Sequence, residues 1–142
     1  MHKREVIKSN MIEWNDKYKT GVEHIDLQHK TLFQYINDFE GAIDDGDLGK
    51  DLLILSLTFF ENYAKMHFGD EENCMYRYQC PVAGSNKNAH RKFIEFFDQC
   101  KMDLETNGYD EATFRKILEF TEQWLKDHIC KIDTQLKSCV HQ

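Results

Sequence analysis

Six side chains that commonly bind metals recur on the apolar stripes of this chain: His29, His67, Glu71, His90, His128 and Asp133. Glu71 stands four residues after His67, one helical turn along the same face. Burying a polar group without a partner costs roughly 2–7 kcal/mol, and a charge costs more. Six such groups on core-facing positions therefore point to a bound ion. Four imidazoles with two carboxylates suit iron, manganese or zinc better than calcium or magnesium, which take oxygen-rich shells. A lone histidine on an apolar stripe is ordinarily a satisfied core residue. Here four of them fall at matching depth.

That depth follows from the helices that carry them. Pro81 is the only proline, and the glycines fall mostly between periodic segments, so long uninterrupted helices are expected. The first stripe reads Ile25, His29, Leu32, Ile36, Phe39, Ile43 and ends at Asp44-Asp45-Gly46-Asp47. The second reads Leu53, Leu57, Phe60, Ala64, His67, Glu71, Cys74 and stops before Cys80-Pro81. The third reads Asn86, His90, Phe93, Phe97, Cys100, Leu104 and closes at Thr106-Asn107-Gly108. The fourth opens after Asp110 and reads Phe114, Ile117, Thr121, Trp124, His128, Ile132. Short connections make neighbours antiparallel, which predicts an all-α, up-down-up-down four-helix bundle.

In that topology the start of one helix lies beside the end of the next. His29 and His90 are early in their helices; His67, Glu71, His128 and Asp133 are late in theirs. All six then gather at one end of the core. Asp133 fits least well, because five residues along a helix rotate about 140° away from His128. Glu72, beside Glu71, is expected to face solvent, as are His2, His24 and His141. Residues 1–21, with Trp14 and Tyr18, are expected to form an N-terminal arm against the bundle (22–138) of one domain spanning 1–142.

The chain of 142 residues, with ten Phe, six Tyr and two Trp, is long enough to build a core without disulfides. Its net charge of −7 argues against nucleic acid or anionic membrane as a partner. No apolar run reaches the length of about 18 residues that a transmembrane helix needs. The opening MHKREVIKSN is charged and resembles no secretory leader, so a cytoplasmic location is expected. The five cysteines, Cys74, Cys80, Cys100, Cys130 and Cys139, form an odd set without Cys-x-x-Cys spacing. In a chain without an export signal they are expected to be reduced thiols. Cys74 and Cys100 should be buried, and Cys80 accessible in a loop.

These stretches resemble the hemerythrin family in its bacterial form: Trp14, GVEHIDLQHKTLFQYIN (21–37), HFGDEENCM (67–75), HRKF (90–93) and WLKDHICKID (124–133). The resemblance covers nearly the whole chain after the first dozen residues. It implies two iron ions sharing an oxo or hydroxo bridge and two bridging carboxylates, Glu71 and Asp133. His29 and His67 would hold one iron, and His90 and His128 the other. It further implies dioxygen bound at the iron with fewer protein ligands, with Trp124, Ile129 and Phe93 keeping water away.

One position departs from the family pattern. Relatives of this type carry His-x-x-x-His on the third helix; here the residue four before His90 is Asn86. Asn86 could ligate through its amide oxygen, could hydrogen-bond a water or hydroxide that fills the position, or could leave the site half-filled. The second is preferred, since an amide is a good partner for a bound water. The leading functional expectation is a non-haem di-iron protein binding dioxygen for carriage, storage or sensing, as a monomer or weak homo-oligomer. The alternative is an oxidoreductase-like di-iron protein that turns over peroxide or dioxygen at a site opened by Asn86.

Overall fold

The computed structural model describes residues 12–46 and 49–140. Four long helices make the body: α1 (Glu23–Asp45), α2 (Lys50–Arg77), α3 (Ala83–Asn107) and α4 (Glu111–Lys131). A 3₁₀ turn, Asp133–Gln135, and a short α5 (Leu136–Val140) follow α4. All regular elements among the described residues are helical. His2 and His141 lie outside the described residues; His24 is exposed as expected.

The helix ends have local causes. Asp26, in the first turn of α1, accepts from both the backbone N–H and the hydroxyl of Thr20, at 2.9 and 2.8 Å. Gly46 ends α1 with φ +67°, a conformation that costs glycine little, and its N–H caps Ala42 and Ile43. Asp110 caps α4 by accepting from Ala112 N–H at 3.3 Å and Thr113 Oγ1 at 2.7 Å.

The helices pack through the predicted stripes. Ile25, Leu32, Ile36, Leu53, Leu57, Phe97, Phe114 and Ile129 are all essentially inaccessible to solvent. Fully burying a side chain of this kind contributes about 1.5–3 kcal/mol each. α2 packs against α1 and α3, and α1 also packs against α4. Aromatic contacts join α3 to α4: Phe93 stacks on Trp124 with centroids 4.3 Å apart, and Phe96 meets Phe120 at 4.2 Å. The result is a four-helix bundle.

The segment before α1 lies on the bundle. Ile12 and Asn37 exchange two hydrogen bonds of 3.1 and 2.9 Å. Tyr18 is buried, edge-on to Phe33, and Trp14 packs against the same ring. Both are packing residues.

The cysteine expectation needs correction. Cys80 and Cys139 are joined in a disulfide, with Cα atoms 5.5 Å apart. Cys80 is buried rather than accessible. The odd count and absent Cys-x-x-Cys spacing concealed a pair 59 residues apart. The two meet because the α2–α3 turn and α5 share a second apolar cluster with Ile25, Cys74, Met75 and Leu136. A reducing compartment thereby loses the support that five free thiols would have given it. Cys74, Cys100 and Cys130 are free; Cys74 is buried and Cys100 half-buried.

Candidate metal centre

All six predicted donors meet at one end of the bundle, and each is at least nine-tenths buried. They form two overlapping sets: His29, His67, Glu71 and Asp133, and Glu71, His90, His128 and Asp133. Within each set the donor atoms lie within 4.8 Å of one another. Glu71 and Asp133 belong to both.

The two carboxylates divide their oxygens between the sets. Glu71 Oε2 lies 3.0 Å from His29 Nε2 and 3.3 Å from His67 Nε2, while Oε1 lies 3.2 Å from His90 Nε2. Asp133 places Oδ2 3.1 Å from His29 Nε2 and Oδ1 3.2 Å from His128 Nε2. Two three-atom carboxylates laid across neighbouring positions, one oxygen toward each, suit a pair of cations at short separation.

The chain's local path explains Asp133. α4 ends at Lys131, and Ile132 caps it by donating its N–H to His128 O. The tighter 3₁₀ turn that follows replaces the α-helical rotation and swings Asp133 back over the site. The five-residue spacing that looked unfavourable on a continuous helix is thus reconciled by a helix end.

Asn86 is completely buried in the second set. Its Nδ2 donates to Glu71 Oε1 at 3.0 Å, and its Oδ1 lies 2.7 Å from His128 Nε2. The amide occupies the centre itself, among the donor atoms.

Imidazoles and carboxylates in the donor set shift one another. Burial opposes charge on His29, yet Asp133 and Glu71 outweigh it and push the imidazole up to about 9. Burial likewise opposes charge on His90, but Glu71 and Glu72 raise it to about 9. Burial favours the protonated form of Glu71, but His29, His67 and His90 hold its carboxyl well below the usual range. His67 goes the other way, because burial lowers its pKa.

A hydrogen bond decides which ring nitrogen of His67 faces the site. Gln28 Nε2 donates to Asp70 Oδ2 at 2.8 Å, which turns Gln28 Oε1 toward His67 Nδ1 at 2.7 Å. An amide oxygen only accepts, so Nδ1 carries the proton. His67 Nε2 is then the nitrogen that faces the Glu71 carboxylate, 3.3 Å from Oε2. A cation between these two atoms would be held by both. Asp133 Oδ1 is buried and makes no hydrogen bond, with His128 Nε2 3.2 Å away. The residues fit a metal.

The comparisons with known proteins agree. The profile of the hemerythrin HHE cation binding domain matches residues 20–140. The chain belongs to the hemerythrin family. Among its relatives, a bacteriohemerythrin of Clostridium acetobutylicum is 26% identical over 132 residues, covering 88% of this chain and 98% of the relative. A myohemerythrin of Sipunculus nudus is 29% identical over 124 residues, covering 87% of this chain and 89% of the relative. A hemerythrin-like protein of Naegleria gruberi is 28% identical over the same span, again covering 87% and 89%.

Within this hemerythrin fold, aromatic rings wall the centre. Phe68 stacks on His90 at 3.8 Å and 8°, and Trp124 on His128 at 4.5 Å and 9°. Trp14 stands 6.4 Å from the His29 ring on the other side. Of the apolar neighbours named from sequence, Phe93 and Ile129 are buried, and Trp124 is half-buried. A groove of about 580 Å³ between α2 and α3 reaches Phe68, Glu72 and His90. A smaller one of about 310 Å³ along α4 reaches Trp124 and His128.

Two contributors escaped the sequence. Gln28 fixes His67, as described. Glu72, expected in solvent, is half-buried, and its Oε2 accepts from His90 Nδ1 at 3.0 Å. No periodicity marks either residue, because each lies at the edge of its helix's apolar face. Among the described residues no helix is long and apolar enough to cross a membrane.

Proposed function

We propose that this hemerythrin-family protein holds two iron ions and binds dioxygen, for carriage, storage or sensing. The observation that carries the reading is the pair of overlapping donor sets sharing Glu71 and Asp133. His29 and His67 would hold one iron and His90 and His128 the other, with the two carboxylates bridging. Two ferrous ions so placed supply the two electrons that reversible dioxygen binding draws on. The chain's own part is to fix the separation with the carboxylates and to offset part of the cationic charge. It also screens the centre with Phe68, Trp124 and Trp14, whose rings limit the access of water.

A second reading has a specific observation in its favour. Each set offers two imidazoles, and on the His90–His128 side an amide stands within 2.7 Å of a donor nitrogen. Both surface grooves reach that side. An iron there with a neutral amide or a water in place of an imidazole is held less tightly and is open to small ligands. Turnover of peroxide or dioxygen is then the expected chemistry.

One experiment separates the two. Protein loaded anaerobically with ferrous iron is exposed to dioxygen and then to vacuum while its absorption spectrum is followed. A colour that appears with dioxygen and bleaches under vacuum supports reversible binding. Rapid, irreversible oxidation with catalytic loss of added peroxide supports turnover. Failure to retain two irons per chain defeats both.

A further inference from the structure

We propose that Glu72 is a positioning residue that strengthens His90 as a metal donor and makes the two metal positions electronically unequal, offsetting the imidazole that Asn86 does not supply. The inference rests on the di-iron reading above and concerns how that centre is tuned.

The two helix-borne imidazoles that face Glu71 from α2 and α3 have different partners behind them. His67 Nδ1 donates to the neutral amide of Gln28 at 2.7 Å. His90 Nδ1 donates to the Glu72 carboxylate at 3.0 Å. An anionic acceptor pulls the Nδ1 proton toward itself and raises electron density at Nε2, so the ring becomes the more basic ligand. A neutral amide orients its ring without comparable polarisation. The carboxylate thus serves the position where Asn86 stands among the donors, 3.0 Å from Glu71 Oε1.

The geometry separates tuning from mere support. His90 is already held by Phe68, stacked at 3.8 Å and nearly parallel, and by Glu71 at 3.2 Å. Its ring plane does not depend on Glu72 alone. Glu72 is also accessible: its side chain is 25% exposed and borders the α2–α3 groove.

The test uses wild-type protein, E72Q, E72A and Q28E, each loaded anaerobically with ferrous iron. Iron content, the rate of release to a competing chelator, and the reduction potential are measured. E72Q keeps an oxygen acceptor of the same shape and removes only the charge. It should retain two irons at saturation, release one of them about tenfold faster, and show a more positive potential, because the ferric state loses donor strength. E72A should match it, and Q28E should move the potential the opposite way. Wild-type behaviour of E72Q with loss confined to E72A means Glu72 only orients the ring, and overturns the proposal. Unchanged potential and release in both Glu72 variants overturns it as well, while a wild-type iron count of two leaves the di-iron reading standing. Wild-type protein that takes up no iron overturns both.

Discussion

Asn86 and His67 show how a single side chain sets the balance at this centre. Asn86 is fully buried, and its amide bridges Glu71 and His128, two donors that a metal would otherwise hold by itself. A His there would bring a third imidazole to the second set. N86H is therefore expected to slow chelator-driven release of iron about tenfold, which corresponds to about 1.4 kcal/mol; an unaltered release rate would show that Asn86 is indifferent to the metal. His67 is different, since Gln28 accepts from its Nδ1 and leaves Nε2 facing Glu71. H67A should cost at least one metal ion per chain by elemental analysis, and a full complement in that variant would remove His67 from the site. The six candidate donors were legible from residue type and, for all but Asp133, from 3.6-residue spacing; Asp133 came from the family resemblance. Gln28 and Glu72 were not, because hydrogen bonds to Nδ1 depend on rotamers and helix rotation rather than on a repeating pattern.

The helices place these groups, and their ends matter as much as their faces. α4 stops at Lys131, and only that stop lets Asp133 rejoin His128. The C-terminal piece that follows is fastened to the α2–α3 turn by Cys80–Cys139. Closing a loop with that 59-residue separation is worth about 4 kcal/mol by chain-entropy reasoning. Thiol titration of the denatured, unreduced protein should therefore find three free thiols, and C139S should unfold at lower denaturant. Five reactive thiols would refute the pairing. Helix extents were well read from sequence, since Gly46, Asp110 and the Cys80-Pro81 turn mark boundaries through local chemistry. The disulfide was hidden because it joins segments brought together only by the packing of Ile25, Met75 and Leu136.

Across the whole molecule, acidic groups outnumber basic ones, 25 to 18, and one consequence falls between α1 and α4. Burial, then the nearby Glu122 and Asp44, pushes the Glu40 carboxyl up to about 7, with Arg115 only partly relieving it. A carboxyl raised in the folded state binds more protons there than in the unfolded chain between about pH 4.5 and 7. Its contribution to stability is fully present below that window and is lost as pH rises through 7. E40Q should remove this loss, so its melting temperature relative to wild type should rise between pH 5 and pH 8. A constant difference across that range would mean that Glu40 titrates normally.

The sequence by itself determined the all-helical bundle, because burial periodicity and antiparallel order are properties of a linear pattern, and its motifs pointed to the family and to six candidate donors. Tertiary structure decided which oxygen of Glu71 and Asp133 faces which imidazole, where Asp133 leaves the helix, what stands behind His67 and His90, and that Cys80 meets Cys139. Those outcomes turn on distances of a few ångströms between segments tens of residues apart, and only the packed chain sets them.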